Sequence, residues 1–261
     1  MTATLDVAAI RPVSRVQAWG PLMVAEAKLL WRDPGSLITP LGLPLLIMVM
    51  NGLRSNTASD QGLAGMRYFD ALATPAALAM IVAVTGMINV PSVLAAYRKA
   101  GVLRRMSATP VGPGSLLGAQ VAVNLVLSVI GIAIALAVAF AGYDLAMPRQ
   151  LGWALLGLAL GACSLYAFGL LIAAIAPSAN SAVGLGLVLF FATFAAGGGF
   201  LPMDLLPSWL ASIGEVLPYG AAVQVMSDAW IGQTPQLIHL AVLGGTTVVF
   251  GGLAAKLFRW E

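Results

Sequence analysis

Uncharged apolar runs recur six times along the chain: Ser36–Leu53, Ala71–Ala96, Ser115–Ala141, Leu151–Ala176, Ser181–Phe200 and Gln236–Ala255. Crossing about 30 Å of hydrocarbon takes roughly 20 helical residues, so each run is a candidate transmembrane helix. The fourth and fifth lie in one uncharged stretch, which Pro177-Ser178-Ala179-Asn180 divides with a turn. Pro40 and Pro44 in the first run predict a broken or tilted start. The runs lack the two-residue alternation of barrel strands, so the predicted fold is all-α and polytopic with six spans.

Three further segments are patterned but are not simple spans. Pro21–Arg32 reads as a short helix, with Pro21 at its first position and Met23, Ala27 and Leu30 on one face. Lys28 and Arg32 fall on the other face, which suits an interfacial helix. Between spans 2 and 3, Arg98–Met106 reads as a short basic helix ahead of the turn-rich stretch from Thr109 to Gly114. That loop is either a topology signal alone or a docking element for a partner. From Leu201 to Thr234, Leu205, Leu206, Trp209, Leu210, Ile213 and Val216 recur at helical spacing between Pro202, Pro207 and Pro218. A pair of short re-entrant or interfacial helices fits, with Trp209, Tyr219 and Trp230 at headgroup level. A seventh span is the competing reading, against which stand the prolines and Asp204, Glu215 and Asp228.

Composition sharpens the class. Only 9% of the 261 residues are charged and 60% are hydrophobic, whereas soluble domains carry roughly 25% charge. A soluble enzyme is excluded, and so is a nucleic-acid module, for which no clustered basic soluble face exists. The first long apolar run begins behind Glu26 and Asp33, unlike a cleavable signal peptide.

Charge also predicts orientation. With the N-terminus inside, ten basic residues (Arg11, Arg15, Lys28, Arg32, Arg98, Lys99, Arg104, Arg105, Lys256 and Arg259) fall inside. Three, Arg54, Arg67 and Arg149, fall outside, an asymmetry that places both termini in the cytoplasm. The expected organisation is a cytoplasmic N-terminus with the interfacial helix over 1–35, a membrane domain over 36–255 and a cytoplasmic tail over 256–261.

Candidate chemistry is sparse. Cys163 and His239 are single, so neither a cysteine cluster nor a histidine pair can hold a metal. His239, near the outer start of the last span, is expected to cap or face the interface. No phosphate loop, H-E-x-x-H or G-x-S-x-G motif is present, which predicts no catalytic residue and no cofactor on this chain. No span interior carries a clear acid or base of the kind ion-coupled carriers use. Thr85, Asn89 and Asn124 are the polar uncharged candidates for helix contacts or substrate. Gly157/Gly161 and Ala195/Gly199 allow close helix approach, within a subunit or between two. Phe190, Phe191, Phe194 and Phe200, beside Gly197-Gly198-Gly199, are either plain packing or an apolar plug near the outer face.

Four features together resemble the membrane subunit of bacterial ABC-2 type exporters, the type V, drug-resistance-like permeases. They are Glu26-Ala27-Lys28-Leu29-Leu30-Trp31-Arg32-Asp33-Pro34 before span 1, and the inner loop from Tyr97 to Met106 with Thr109-Pro110-Val111. The third is the proline-marked outer segment with Leu201-Pro202, Leu206-Pro207 and Leu217-Pro218-Tyr219, and the fourth is the count of six spans with inner termini. Where the family often has a glutamate before the glycine of the inner loop, this chain is purely basic from Arg98 to Arg105. The resemblance implies a homodimer or heterodimer of permeases in the bacterial plasma membrane, contacting membrane lipid and served by two cytoplasmic ATPase subunits that carry ATP and Mg. It implies that Arg98, Lys99, Gly101, Leu103, Arg104, Arg105, Met106, Thr109 and Pro110 form the ATPase-coupling element. Glu26, Lys28, Arg32 and Asp33 would belong to a connecting helix. Spans 2 and 5 would line the path, making Thr85, Asn89, Phe190, Phe191, Phe194 and Phe200 path or outer-gate candidates. The expected cargo is a hydrophobic or amphipathic compound, drug-like or lipid. Export of a polysaccharide or glycolipid, a secondary carrier, and a membrane-embedded lipid enzyme are the alternatives.

Overall fold

The structure, a computed structural model, describes residues 15–55, 65–109, 112–201 and 203–258. Arg11, Pro110, Val111, Pro202 and Arg259, used above, lie outside the described residues, as do the side chains of Arg15 and Asp204. Among the described residues all regular structure is helical. Six helices are long and apolar enough to cross a bilayer: Pro34–Arg54, Phe69–Lys99, Pro113–Tyr143, Leu151–Ile175, Ala179–Ala196 and Leu237–Leu257. They fall on the six uncharged runs and are called spans 1 to 6 below.

Helix α1 covers Arg15–Arg32 and α2, which is span 1, covers Pro34–Ser55. Pro21 therefore lies inside α1 and does not start it; it gives up one backbone bond that the turns on either side tolerate. The expected apolar face of α1 is also corrected. Ala27 is exposed, and Glu26, at 4% exposure, sits in the middle of the face turned to the bundle. Helix α2 runs unbroken through Pro40 and Pro44, both on its buried side. Packing against neighbouring helices accommodates such prolines.

Span 2 is the hub. It comprises a π-helical turn Phe69–Ala73, α3 (Thr74–Val84), a second π-turn Thr85–Asn89, and α4 (Val90–Lys99). Its most apolar window is 89% buried, against 17–50% for the other five spans. Each π-turn ends two residues before a proline, Pro75 or Pro91. A proline ring collides with the carbonyl four residues back, and a widened turn moves that carbonyl aside. At the second π-turn the hub meets two glycines. A Cβ on Gly169 of α7 (Leu151–Ile175, span 4) would overlap the Gly86 carbonyl oxygen, and one on Gly186 of α8 (Ala179–Ala196, span 5) would overlap that of Met87.

Helix α4 ends at Ala100 and Gly101 turns left-handed, with φ 67°, before the short α5 (Val102–Ser107). The expected single helix over Arg98–Met106 is thus two pieces, since the left-handed turn favours glycine and ends a helix. Span 3 is α6 (Pro113–Tyr143) and span 6 is α11 (Leu237–Leu257). Spans 4 and 6 pair closely, with Ser164 bonded to Thr246 and the Phe168 and Phe250 rings 4.7 Å apart.

Between spans 5 and 6 lie the two expected short helices, α9 (Ser208–Glu215) and α10 (Pro218–Ile231). Helix α10 packs into the bundle: a Cβ on Gly157 would meet Val225, and one on Gly161 would meet Ala222. Gly161 is ten residues into α7, about 15 Å along its axis, so α10 is re-entrant. The Gly157/Gly161 pair accordingly serves packing within one subunit. Burial corrects two of the three headgroup-level aromatics. Tyr219 is fully enclosed and donates to the Ala76 carbonyl at 3.0 Å, and Trp230 donates to the Ala146 carbonyl at 3.1 Å. Only Trp209 is exposed, at 65%.

Candidate functional site

At the end of the bundle where spans 2 and 4 finish, α5 is held by one apolar residue. Leu103 is 1% exposed, while Arg104 and Arg105 point outward. The short helix is closed by its own groups: Ser107 Oγ donates to Arg104 O at 2.7 Å and Thr109 Oγ1 to Met106 O at 2.7 Å. Arg105 Nη2 donates to Ala100 O at 3.1 Å, across the Gly101 turn. Met106 is half-buried.

Arg98 does something different from its basic neighbours. Its guanidinium donates to the carbonyls of Ala173, at 3.3 Å, and Ala176, the last turn of α7. A cation on unpaired helix-end carbonyls is favourable by charge and by hydrogen bonding. Arg98 thereby ties the end of the hub to the end of span 4. The outward basic surface consists of Lys99, Arg104 and Arg105.

Helices α1 and α2 are each joined to span 2 by a polar contact, α1 through Tyr97 and α2 through Asn89. Tyr97 donates its hydroxyl to Glu26, at 3.0 and 2.8 Å from the two carboxylate oxygens. Asn89 Nδ2 donates to Ser36 O at 2.7 Å. Asp33 caps α2, accepting from the Gly35 N–H at 3.2 Å and the Ser36 hydroxyl at 2.5 Å. Burial holds the Glu26 carboxyl above the usual carboxylate range, and the Tyr97 hydroxyl offsets part of that rise. Lys28 and Arg32 lie on the exposed side of α1. A displacement of α5 therefore reaches the hub through its own backbone, span 4 through Arg98 and α1 through Tyr97.

The path candidates separate into enclosed and outward-facing groups. Thr85 is fully buried; its hydroxyl lies 2.7 Å from Ser128 Oγ, which lies 3.0 Å from the Tyr166 hydroxyl. Asn89 is 5% exposed. In this conformation both face neighbouring helices of their own chain. Phe190 and Phe194 are buried at 1% and 2%, with Phe194 also 5.3 Å from the Tyr219 ring. Phe191 and Phe200 are stacked 6.5 Å apart and exposed at 42% and 62%. Of the six, these two alone present substantial surface to whatever adjoins the subunit.

Several side chains play structural parts that the sequence did not assign to them. On α6, Gln120, Asn124 and Ser128 recur every four residues and are all buried; that polar spacing inside an apolar run was the available signal. His239 is buried rather than interfacial, at 4% exposure, with neither ring nitrogen bonded. At the opposite end, Arg67 grips Asp70 through Nε at 2.9 Å and Nη2 at 3.1 Å. The same Nη2 donates to the carbonyls of Tyr143 and Asp144, and Asp70 Oδ1 accepts from the Ala146 N–H at 3.2 Å.

Asp228 on α10 accepts a hydrogen bond from the Gln236 backbone, yet burial outweighs it and pushes the carboxyl up to about 6, from an ordinary 3.8. A raised carboxyl favours the folded state when protonated. That contribution is complete below about pH 4 and lost as pH rises through 6. Asp228→Asn, which keeps an acceptor without the charge, should raise the melting temperature at pH 7.5 and match wild type near pH 4. Thermal unfolding in detergent at the two pH values checks this.

No curated protein matches the chain. The sequence profile of the ABC-2 type transporter family, however, matches residues 18–230, taking in most of α1, the hub, α5 and the re-entrant hairpin through Trp230. With six apolar helices around an enclosed second span and that profile over most of its length, this multi-pass membrane chain belongs to the ABC-2 type transporters.

Proposed function

We propose that the chain is the permease subunit of an ATP-driven exporter, moving a hydrophobic or amphipathic compound, drug-like or lipid, across the bacterial plasma membrane. Two permease copies and two cytoplasmic ATPase subunits complete the machine, with ATP and Mg bound on the ATPases. Both termini and α5 face the cytoplasm in this reading. The observation that carries it is α5 itself: a helix anchored by Leu103 at the tip of the most enclosed span, presenting Arg104 and Arg105 outward. A push there is delivered to spans 2 and 4 and to α1 through Arg98 and Tyr97. Phe191 and Phe200 are the best placed of the six path candidates to meet a second copy or the cargo.

The test is purification of the tagged chain in mild detergent with identification of what accompanies it. A near-stoichiometric soluble subunit bearing a phosphate-loop motif is expected, and Arg104→Glu with Arg105→Glu should reduce its capture several-fold, as charge reversal at an exposed interface does. Repeated purification without such a subunit, together with substrate movement in vesicles lacking ATP, would overturn the proposal. Intact capture and intact transport in the doubly reversed variant would remove α5 as the coupling element.

A further inference from the structure

Between α1, the start of α2, the end of α4 and the start of α6 lies a cavity of about 160 Å³. Its polar wall is Glu26, Asp33, Ser36, Tyr97 and Gln120, and its apolar wall is Leu29, Leu30 and Val93. Glu26 is withdrawn from water, and its one hydrogen-bond partner is the Tyr97 hydroxyl. A carboxylate offers about four acceptor positions and that hydroxyl supplies one proton. None of the lysines or arginines among the described residues pairs with Glu26. Arg98, beside Tyr97, is turned to the end of span 4, and Lys28 and Arg32 project from the exposed side of α1. Gln120, at 3% exposure, also lines the cavity. Burying a carboxylate without a cation is expensive.

We propose that this cavity binds the ammonium head group of an amphipathic molecule from the adjoining leaflet. The positive charge lies between Glu26 and Asp33, and the Gln120 carbonyl accepts from an ammonium N–H. The volume is below the roughly 300–1,000 Å³ that drug-sized ligands occupy, so it holds a head and not a whole amphiphile. Leu29, half exposed at 53%, marks the side on which an alkyl tail leaves toward lipid. An anionic head is disfavoured by the two carboxylates. A bare metal ion would find just two carboxylates, and no cluster of three metal-ligating side chains exists among the described residues. The head group has two possible sources, a free cationic amphiphile or phosphatidylethanolamine. The inference does not depend on ATP-driven export, because binding is read on the chain alone.

The experiment is equilibrium binding of radiolabelled dodecylammonium to the purified full chain in maltoside micelles, with empty micelles subtracted. One saturable site per chain is expected, weakened at least tenfold in Glu26→Gln, whose amide oxygen still accepts from Tyr97. Asp33→Asn retains the cap on α2 and should weaken binding several-fold, giving a second reading should the first variant fold poorly. Displacement of the probe by phosphatidylethanolamine would identify the lipid as the occupant, and its failure to displace would identify a free amphiphile; both outcomes support an ammonium site. Equal binding to wild type and both variants, or equal binding of uncharged dodecanol, would overturn it.

Discussion

Gly169→Val should leave little or no folded protein in the membrane. The hub and span 4 touch backbone to backbone at this point, so the first carbon of any side chain on Gly169 overlaps the Gly86 carbonyl oxygen. The carbonyl has nowhere to go. It belongs to the π-turn fixed by Pro91 behind it, and the other side of that turn is held by Gly186 of span 5, under the Met87 carbonyl. Overpacking a core ordinarily costs about 1–3 kcal/mol because side chains can shift. Here the obstacle is main chain on both sides, so the cost is at least about 3 kcal/mol, against a total stability of about 5–15 kcal/mol for a typical domain. Fluorescence-detected size exclusion of a tagged chain reads the result, with Gly184→Ala as the comparison. Gly184 lies two residues from Gly186, on the opposite side of α8, with nothing within 4 Å of where a Cβ would stand, and its substitution should leave the elution profile unchanged. A monodisperse Gly169→Val peak of normal height would show that the hub and span 4 do not cross here.

Arg67→Ala is the second large effect. Asp70 is 2% exposed, and losing its bidentate partner leaves a buried carboxylate with the Ala146 N–H. Removing one member of a buried pair costs about 3–5 kcal/mol. Because the Arg67 side chain is 32% exposed, the lower end, about 3 kcal/mol, is expected. Arg67 also holds the carbonyls of Tyr143 and Asp144, so the loss loosens the turn between spans 3 and 4 as well. The double variant Arg67→Ala, Asp70→Ala should recover a substantial part of the loss, since it removes the stranded charge. Thermal unfolding of wild type, both single variants and the double completes the cycle. Additive losses would mean that the pair contributes no coupling.

The six spans were legible because their lengths answer to the thickness of the bilayer, and an uncharged run of 18 to 27 residues has few other uses. The re-entrant hairpin was legible from Pro202, Pro207 and Pro218, which no straight span tolerates together. What the sequence hid was facing. Hydropathy sums treat Glu26 as a charge to be kept in water, whereas its partner Tyr97 is 71 residues away and draws it to the inner side of α1. Arg67 entered as one more outer loop charge, since nothing local says that it grips Asp70 and the end of span 3. Arg98 looked like its neighbours Lys99 and Arg104, and only the nearness of the end of α7 distinguishes it. Thr85 looked like a residue available to cargo. Its enclosure follows from Ser128 and Tyr166 on two other spans, a convergence that no single run encodes.

The enclosure of span 2 also bears on the order in which the chain is made. The hub leaves the ribosome before the helices that cover it, α7, α8 and α10, and the Tyr219 hydroxyl bonds to Ala76 across 143 residues. In the interval the carbonyls of Gly86 and Met87, displaced by the π-turn, have neither Gly169 nor Gly186 against them. Unmet backbone groups are costly in hydrocarbon, so span 2 is less stable before those helices arrive. In the half-made chain the widened turns, set locally by Pro75 and Pro91, therefore stand without the helices that later enclose them. The proline positions that shape the finished hub are, during synthesis, positions waiting for partners not yet made.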